Sequence, residues 1–219
     1  MNEEAAAGRL PDKLELAALL CSKLCHDIIS PVGAVNNGIE VLEDEKSADM
    51  RDFALELIAK SARQASAKLQ FARIAYGAAS SAGAEIDIWD AANVLRGFVE
   101  SDGKIALDFD APKALMAKNA VKLLFNLSMI AMNAIPKGGK LTVSVDPTSL
   151  TMELRATGTN PRVAAGVAEI ASGNLDGQSI DAHNIQPYYT SLMAAETGVS
   201  VGFELGEESV TIRTSGTAS

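Results

Sequence analysis

The stretch LELAALLCSKLCHDIISPVGAVNNGIEVL, residues 14–42, decides the fold. Leu14, Cys21, Ile28, Val35 and Leu42 recur every seven residues, and Ala18, Cys25, Val32 and Ile39 recur at the same interval four places later. Two interleaved heptad series make one continuous apolar seam, the signature of helices packed side by side along their length. The spacing predicts a single helix over 12–43, with Pro11 where a helix can begin. Cys21 and Cys25 are then small core residues of that seam. They do not build a haem-attachment motif with His26, because the cysteine spacing is one residue too long. No further Cys or His lies near them in the sequence to complete a metal site.

Outward from this helix, Glu43 to Ala48 is a short polar connection. A second amphipathic helix is expected over 49–78, with Phe53, Leu57, Ala65, Leu69, Ala72 and Ala75 among its apolar positions. Two helices alone cannot bury a seam on each. A second copy of the hairpin solves this, so a homodimeric four-helix bundle is expected over residues 11–79. The small-residue run Gly77–Gly83 marks a linker. Over 84–219 helices and strands alternate. Helices are expected near 89–101, 113–134 and within 161–172 and 181–196, and strands near 104–109, 140–146, 150–156, 199–205 and 208–213. That order fits an α/β sandwich with helices on one face of a sheet, and an α+β chain overall.

Composition narrows the function classes. The 219 residues carry a net charge of −9, which argues against nucleic acid and anionic membrane surfaces as partners. No apolar run approaches the roughly 20 residues of a membrane span, and the start of the chain lacks a signal-peptide pattern. Residues 1–10 are expected to be a disordered tail. Two reduced thiols fit a cytoplasmic protein.

His26 lies just off the seam. Lys23, His26, Asp27 and Ser30 share the outward face, and Gly33, Ala34 and Asn37 continue it. The small residues beyond His26 leave room for another protein to lie close. Pro31 sits inside the helix, where it costs about 3 kcal/mol, and nothing in the seam requires it. A helix that carries such a cost just past an exposed His-Asp pair points to a functional role for that pair.

His26-Asp27-Ile28-Ile29-Ser30-Pro31 resembles the H box of sensor histidine kinases. In that family a dimeric helical hairpin carries the histidine and an ATP-binding α/β domain follows, as the order of the two parts here suggests. Asn126-Leu-Ser-Met-Ile130-Ala-Met-Asn133-Ala-Ile-Pro136-Lys-Gly138-Gly139 resembles a kinase N box running into its next strand. In that register the position of the metal-holding asparagine is Ile130, which offers no oxygen to a hard cation. Arg155-Ala-Thr-Gly158-Thr-Asn160 stands where kinases have Asp-x-Gly-x-Gly, so the adenine-reading position is Ala156 and the second glycine is Asn160. The phosphate-covering glycine loop is missing too: no glycine lies between Gly177 and Gly198, where the chain reads Asn184-Ile-Gln-Pro-Tyr-Tyr-Thr190.

An intact H box with a degenerate ATPase-like domain resembles the ChpT-type histidine phosphotransferases. Asp49-Met-Arg-Asp and Leu69-Gln-Phe-Ala-Arg-x-Ala-x-Gly-Ala add to the likeness. The resemblance implies a phosphorelay in which the receiver domain of a hybrid kinase loads Nε2 of His26, and His26 passes the phosphoryl group to receivers of response regulators similar to CtrA and CpdR. Asp27 is expected to hold the other ring nitrogen, and a pairing with Lys23 on the helix surface can hold at the same time. The docking face is expected to include Lys23, Ile29, Ser30, Gly33 and Asn37. No bound cofactor or metal is expected, with Mg²⁺ arriving on the partner receiver. His183 is expected to be structural or incidental. An active kinase or receiver phosphatase, and a non-catalytic dimeric scaffold, are the other classes compatible with the pattern.

Overall fold

The computed structural model describes residues 10–44, 47–77 and 84–216. The expected tail, apart from Leu10, and all of the linker except Gly77 lie outside them. Helix α1 spans Lys13–Asp44 and α2 spans Ala48–Ala75. Asp12, not Pro11, opens α1. Its Oδ1 accepts the backbone N–H groups of Leu14 and Glu15, and the Glu15 carboxylate accepts the Asp12 N–H in return, a capping box. The second helix ends at Ala75, short of the expected 78.

The face α1 turns to α2 is not the heptad seam but one beside it. Pro31 and Gly38, seven apart, are buried opposite Ala54 and Ser61, also seven apart. The approach is close: a Cβ on Gly38 would lie 2.6 Å from Cγ1 of Ile58 and 3.2 Å from the Ala54 carbonyl. The seam itself is only partly covered within one chain, with Ile28, Val35 and Leu42 half-buried. Leu14, Cys21, Cys25, Val32 and Ile39 are all exposed, so the cysteines are not core residues of the single chain. Helix α1 is also long and apolar enough to meet the length and composition test for a membrane span, contrary to the sequence reading. Yet Leu16 and Leu20 of that helix pack on the α/β core, and Pro31 and Gly38 pack on α2.

The α/β part runs β1 (Glu85–Asp87), α3 (Ile88–Val99), β2 (Ile105–Asp110), β3 (Leu115–Ala117), α4 (Lys118–Asn133), β4 (Gly139–Asp146), β5 (Thr151–Gly158), α5 (Val167–Ala171), α6 (Ile185–Thr197), β6 (Val199–Leu205) and β7 (Ser209–Gly216). The main sheet has the order β2-β4-β5-β7-β6, with only β2 and β4 parallel. Inward residues alternate with exposed ones along β2, as a half-covered sheet demands. Two short strands were not anticipated. β1 and β3 pair antiparallel, and β3 delays the start of α4 from the expected 113 to Lys118. Three residues per strand are too few for a period-2 pattern to register.

The hairpin foot and the α/β part share one core. Phe71 of α2 stacks on Phe98 of α3 at 3.9 Å between ring centroids and on Phe125 of α4 at 5.0 Å. Ala75 is buried in the same cluster. Aromatic pairs of this kind contribute about 0.5–1.5 kcal/mol beyond their buried area.

Candidate functional site

Position 26 on α1 leaves the imidazole in open solvent: the His26 side chain is 89% exposed. Its Nδ1 lies 3.4 Å from Oδ1 of Asp27, a long contact, and Asp27 is half-buried. The other carboxylate oxygen, Oδ2, accepts from Nζ of Lys23 at 3.1 Å, one helical turn back. Lys23 is therefore less outward than expected, folded down against Asp27 and largely covered. Both readings of Asp27 hold together, as partner of Lys23 and as neighbour of the ring. A proton carried on Nδ1 would face the carboxylate and leave the free lone pair on Nε2.

The other residues of the predicted face continue along the same helix. Ser30 and Asn37 are exposed. Ile29 is 70% exposed, an apolar side chain held out beside the histidine. Gly33 is open: a Cβ built there would meet nothing within 4 Å. A mid-helix glycine is destabilising by about 1 kcal/mol relative to alanine, and no contact inside this chain requires one at 33.

Sequence reading missed Lys68. From α2, its Nζ donates to the backbone carbonyl of Asp27 at 2.8 Å. The signal was present in Pro31, whose missing N–H leaves the carbonyl four residues back without its helical donor. Below Asp27 a small cavity of about 180 Å³ is lined by Lys23, Lys68, Phe71, Tyr76 and Met129, among others. Burial, followed by the charge of Asp27 and by Tyr189, pushes the Tyr76 hydroxyl well above its ordinary pKa. It stays a neutral donor, directed at Sδ of Met129.

The region that resembles a nucleotide site is packed. Asn126 is fully buried, and its side-chain amide donates to the carbonyls of Ala75 and Lys122. Gln186 of α6 donates to the Asn126 carbonyl at 2.7 Å. The N-box asparagine thus ties the end of α2 to α4 and α6. Ile130 and Ala156 are buried. The glycine-free segment 184–190 is the first part of α6, laid against α4 with Gln186, Tyr188, Tyr189 and Thr190 buried. What space remains beside Ile130 is about 180 Å³, lined by Lys23, Asn133, Arg162, His183 and Gln186 among others. Small-molecule sites run to roughly 300–1,000 Å³. His183 sits in the exposed turn ahead of α6, where its backbone N–H donates to Asp181. Among the described residues no group of three or more His, Cys, Asp and Glu converges as a metal site.

Comparison with known proteins identifies the family. The family model for the histidine phosphotransferase C-terminal domain matches residues 88–209. The Protein phosphotransferase ChpT of Brucella abortus (strain 2308) is 46% identical over 199 residues, covering 90% of this chain and 93% of that protein. A solved structure of a bacterial phosphotransferase superposes with TM-score 0.84 at 42% identity, over 95% of this chain and 99% of that one. The histidine kinase domain of the Erythrobacter litoralis EL346 blue-light activated kinase aligns loosely, at 11% identity and TM-score 0.45, over 84% of this chain and 94% of that one. An H box on an exposed helix and an ATPase-like fold with its nucleotide features packed away meet here in one chain, and the chain belongs to the ChpT-type histidine phosphotransferases.

Proposed function

We propose that His26 is the phosphoacceptor of a phosphorelay, loaded from the receiver domain of a hybrid histidine kinase and unloaded onto receivers of response regulators similar to CtrA and CpdR. The observation that carries this reading is the pairing of an open Nε2 with a carboxylate at Nδ1. The Nε2 lone pair attacks phosphorus of the aspartyl phosphate, the N–P bond forms, and the P–O bond to the donor carboxylate breaks. The ring keeps its Nδ1 proton and becomes cationic, and Asp27 stabilises that charge. The second transfer reverses these bond changes on another aspartate. Mg²⁺ brought by the receiver neutralises charge on the moving phosphoryl group.

Lys23, Ile29, Ser30, Gly33 and Asn37 form the docking face. Ile29 serves as the apolar anchor, and Gly33 permits close backbone approach. ATP plays no part in loading this chain. Buried Ile130 and Ala156 and the seated α6 support that reading. The working unit is a cytoplasmic homodimer. Its second copy covers Leu14, Val32 and Ile39 of α1 and Met50 and Phe53 of α2, apolar side chains exposed in the single chain.

Incubation with labelled ATP alone is expected to leave the chain unlabelled, whereas a phosphorylated receiver domain labels it and His26→Ala abolishes that label. Label acquired from ATP alone, or label that survives the substitution, would overturn the reading. Sedimentation at micromolar concentration is expected to give a dimer.

A further inference from the structure

Residue 27 is gripped twice. Its carboxylate is held by Lys23 of the same helix, at 3.1 Å, and its backbone carbonyl by Lys68 of the other helix, at 2.8 Å. The second grip has a specific cause. In an uninterrupted helix the carbonyl of residue 27 accepts the N–H of residue 31. Position 31 is proline, which has no N–H and whose ring crowds that same carbonyl. The orphaned acceptor is part-buried at the hairpin interface, where an unmet carbonyl is costly. Among the described residues Lys68 has no carboxylate partner, so its ammonium is committed to this oxygen rather than to an ion pair.

We propose that Lys68 is a positioning residue for phosphoryl transfer: it replaces the donor that Pro31 lacks and fixes the His26–Asp27 turn relative to α2. The inference rests on His26 being the phosphoacceptor. Lys68 touches neither the imidazole nor a phosphoryl group. It acts by locking the peptide whose side chain sets the Oδ1–Nδ1 contact. Without it the turn relaxes, the carboxylate drifts from the ring, and the direction of Nε2 is no longer fixed. Misplacement on the scale of an ångström slows a positioned reaction up to about a hundredfold.

The test is a double-mutant cycle on the full-length chain with one phosphorylated receiver domain as donor. Single-turnover transfer is measured for the wild type, Lys68→Met, Lys68→Arg, Pro31→Ala and Pro31→Ala/Lys68→Met. Lys68→Met is expected to slow the bound-state transfer step about tenfold with receiver affinity held, and Lys68→Arg, which keeps a donor, to retain most of the rate. In the Pro31→Ala background an N–H returns to the Asp27 carbonyl, so the same Lys68→Met change is expected to cost less than about twofold. A second readout needs no phosphoryl group. The nitrogen NMR chemical shifts of the His26 ring are expected to change with Lys68→Met when residue 31 is proline and to stay put when it is alanine. Wild-type transfer with no response to Lys68→Met, or an equal slowing in both backgrounds, would overturn the proposal while leaving His26 as acceptor. Failure of the wild type to take label at His26 would instead remove the reading beneath it.

Discussion

The outward face of α1 and the inner face of α4 carry the two stretches that resemble kinase motifs, and they are packed in opposite ways. On α1 the reactive group is exposed, the acid beside it is held from two sides, and the next turns are small and open. On α4 the asparagine that opens the N-box-like stretch serves as a joint: Asn126 spends its side-chain amide on the carbonyls of Ala75 and Lys122. Where α1 leaves solvent, α4 meets α6. The difference teaches that substitution and packing act together: Ile130 offers no oxygen ligand, and the helix built from the segment 184–190 lies against α4.

The comparison is open to attack at three points, in falling order of effect. The severest is Phe71→Ala, which empties the stack shared by α2, α3 and α4 and is expected to cost about 3–5 kcal/mol in denaturant unfolding. A loss under about 1 kcal/mol would mean that the foot of the hairpin is not part of the α/β core. Asn126→Ala comes next. It orphans a carbonyl in the protein interior and is expected to cost about 1–3 kcal/mol, while transfer from a phosphorylated receiver, normalised to folded protein, is retained. Abolished transfer in a fully folded variant would return Asn126 to the chemistry and break the contrast. The smallest effect is the most discriminating. Gly33→Ala is expected to raise stability by about 0.5–1 kcal/mol and to weaken receiver binding by titration, because a partner's approach rather than the fold needs the gap. Unchanged receiver affinity would remove Gly33 from the docking face.

Much of this was legible in the sequence. The heptad seam of residues 14–42 and the alternation in β2, β4 and β5 mark elements directly, since each period outlasts local noise. The H box and the damaged nucleotide motifs were readable because they are contiguous. What escaped depended on tertiary geometry. A heptad marks an apolar face but does not say which chain covers it, so Cys21 and Cys25 were placed in a core that one chain does not provide. Strands β1 and β3 take their identity from each other, with Ile86 paired to Met116 30 residues further on. Lys68 reaches a carbonyl 41 residues away, and a backbone acceptor has no letter in a sequence. It was findable only by asking what Pro31 leaves undone.

The Phe71 stack and the Asn126–Ala75 bond together pin the base of the hairpin to the α/β part. A load placed on either part is therefore passed to the other through shared side chains, and the two are expected to unfold in one cooperative step.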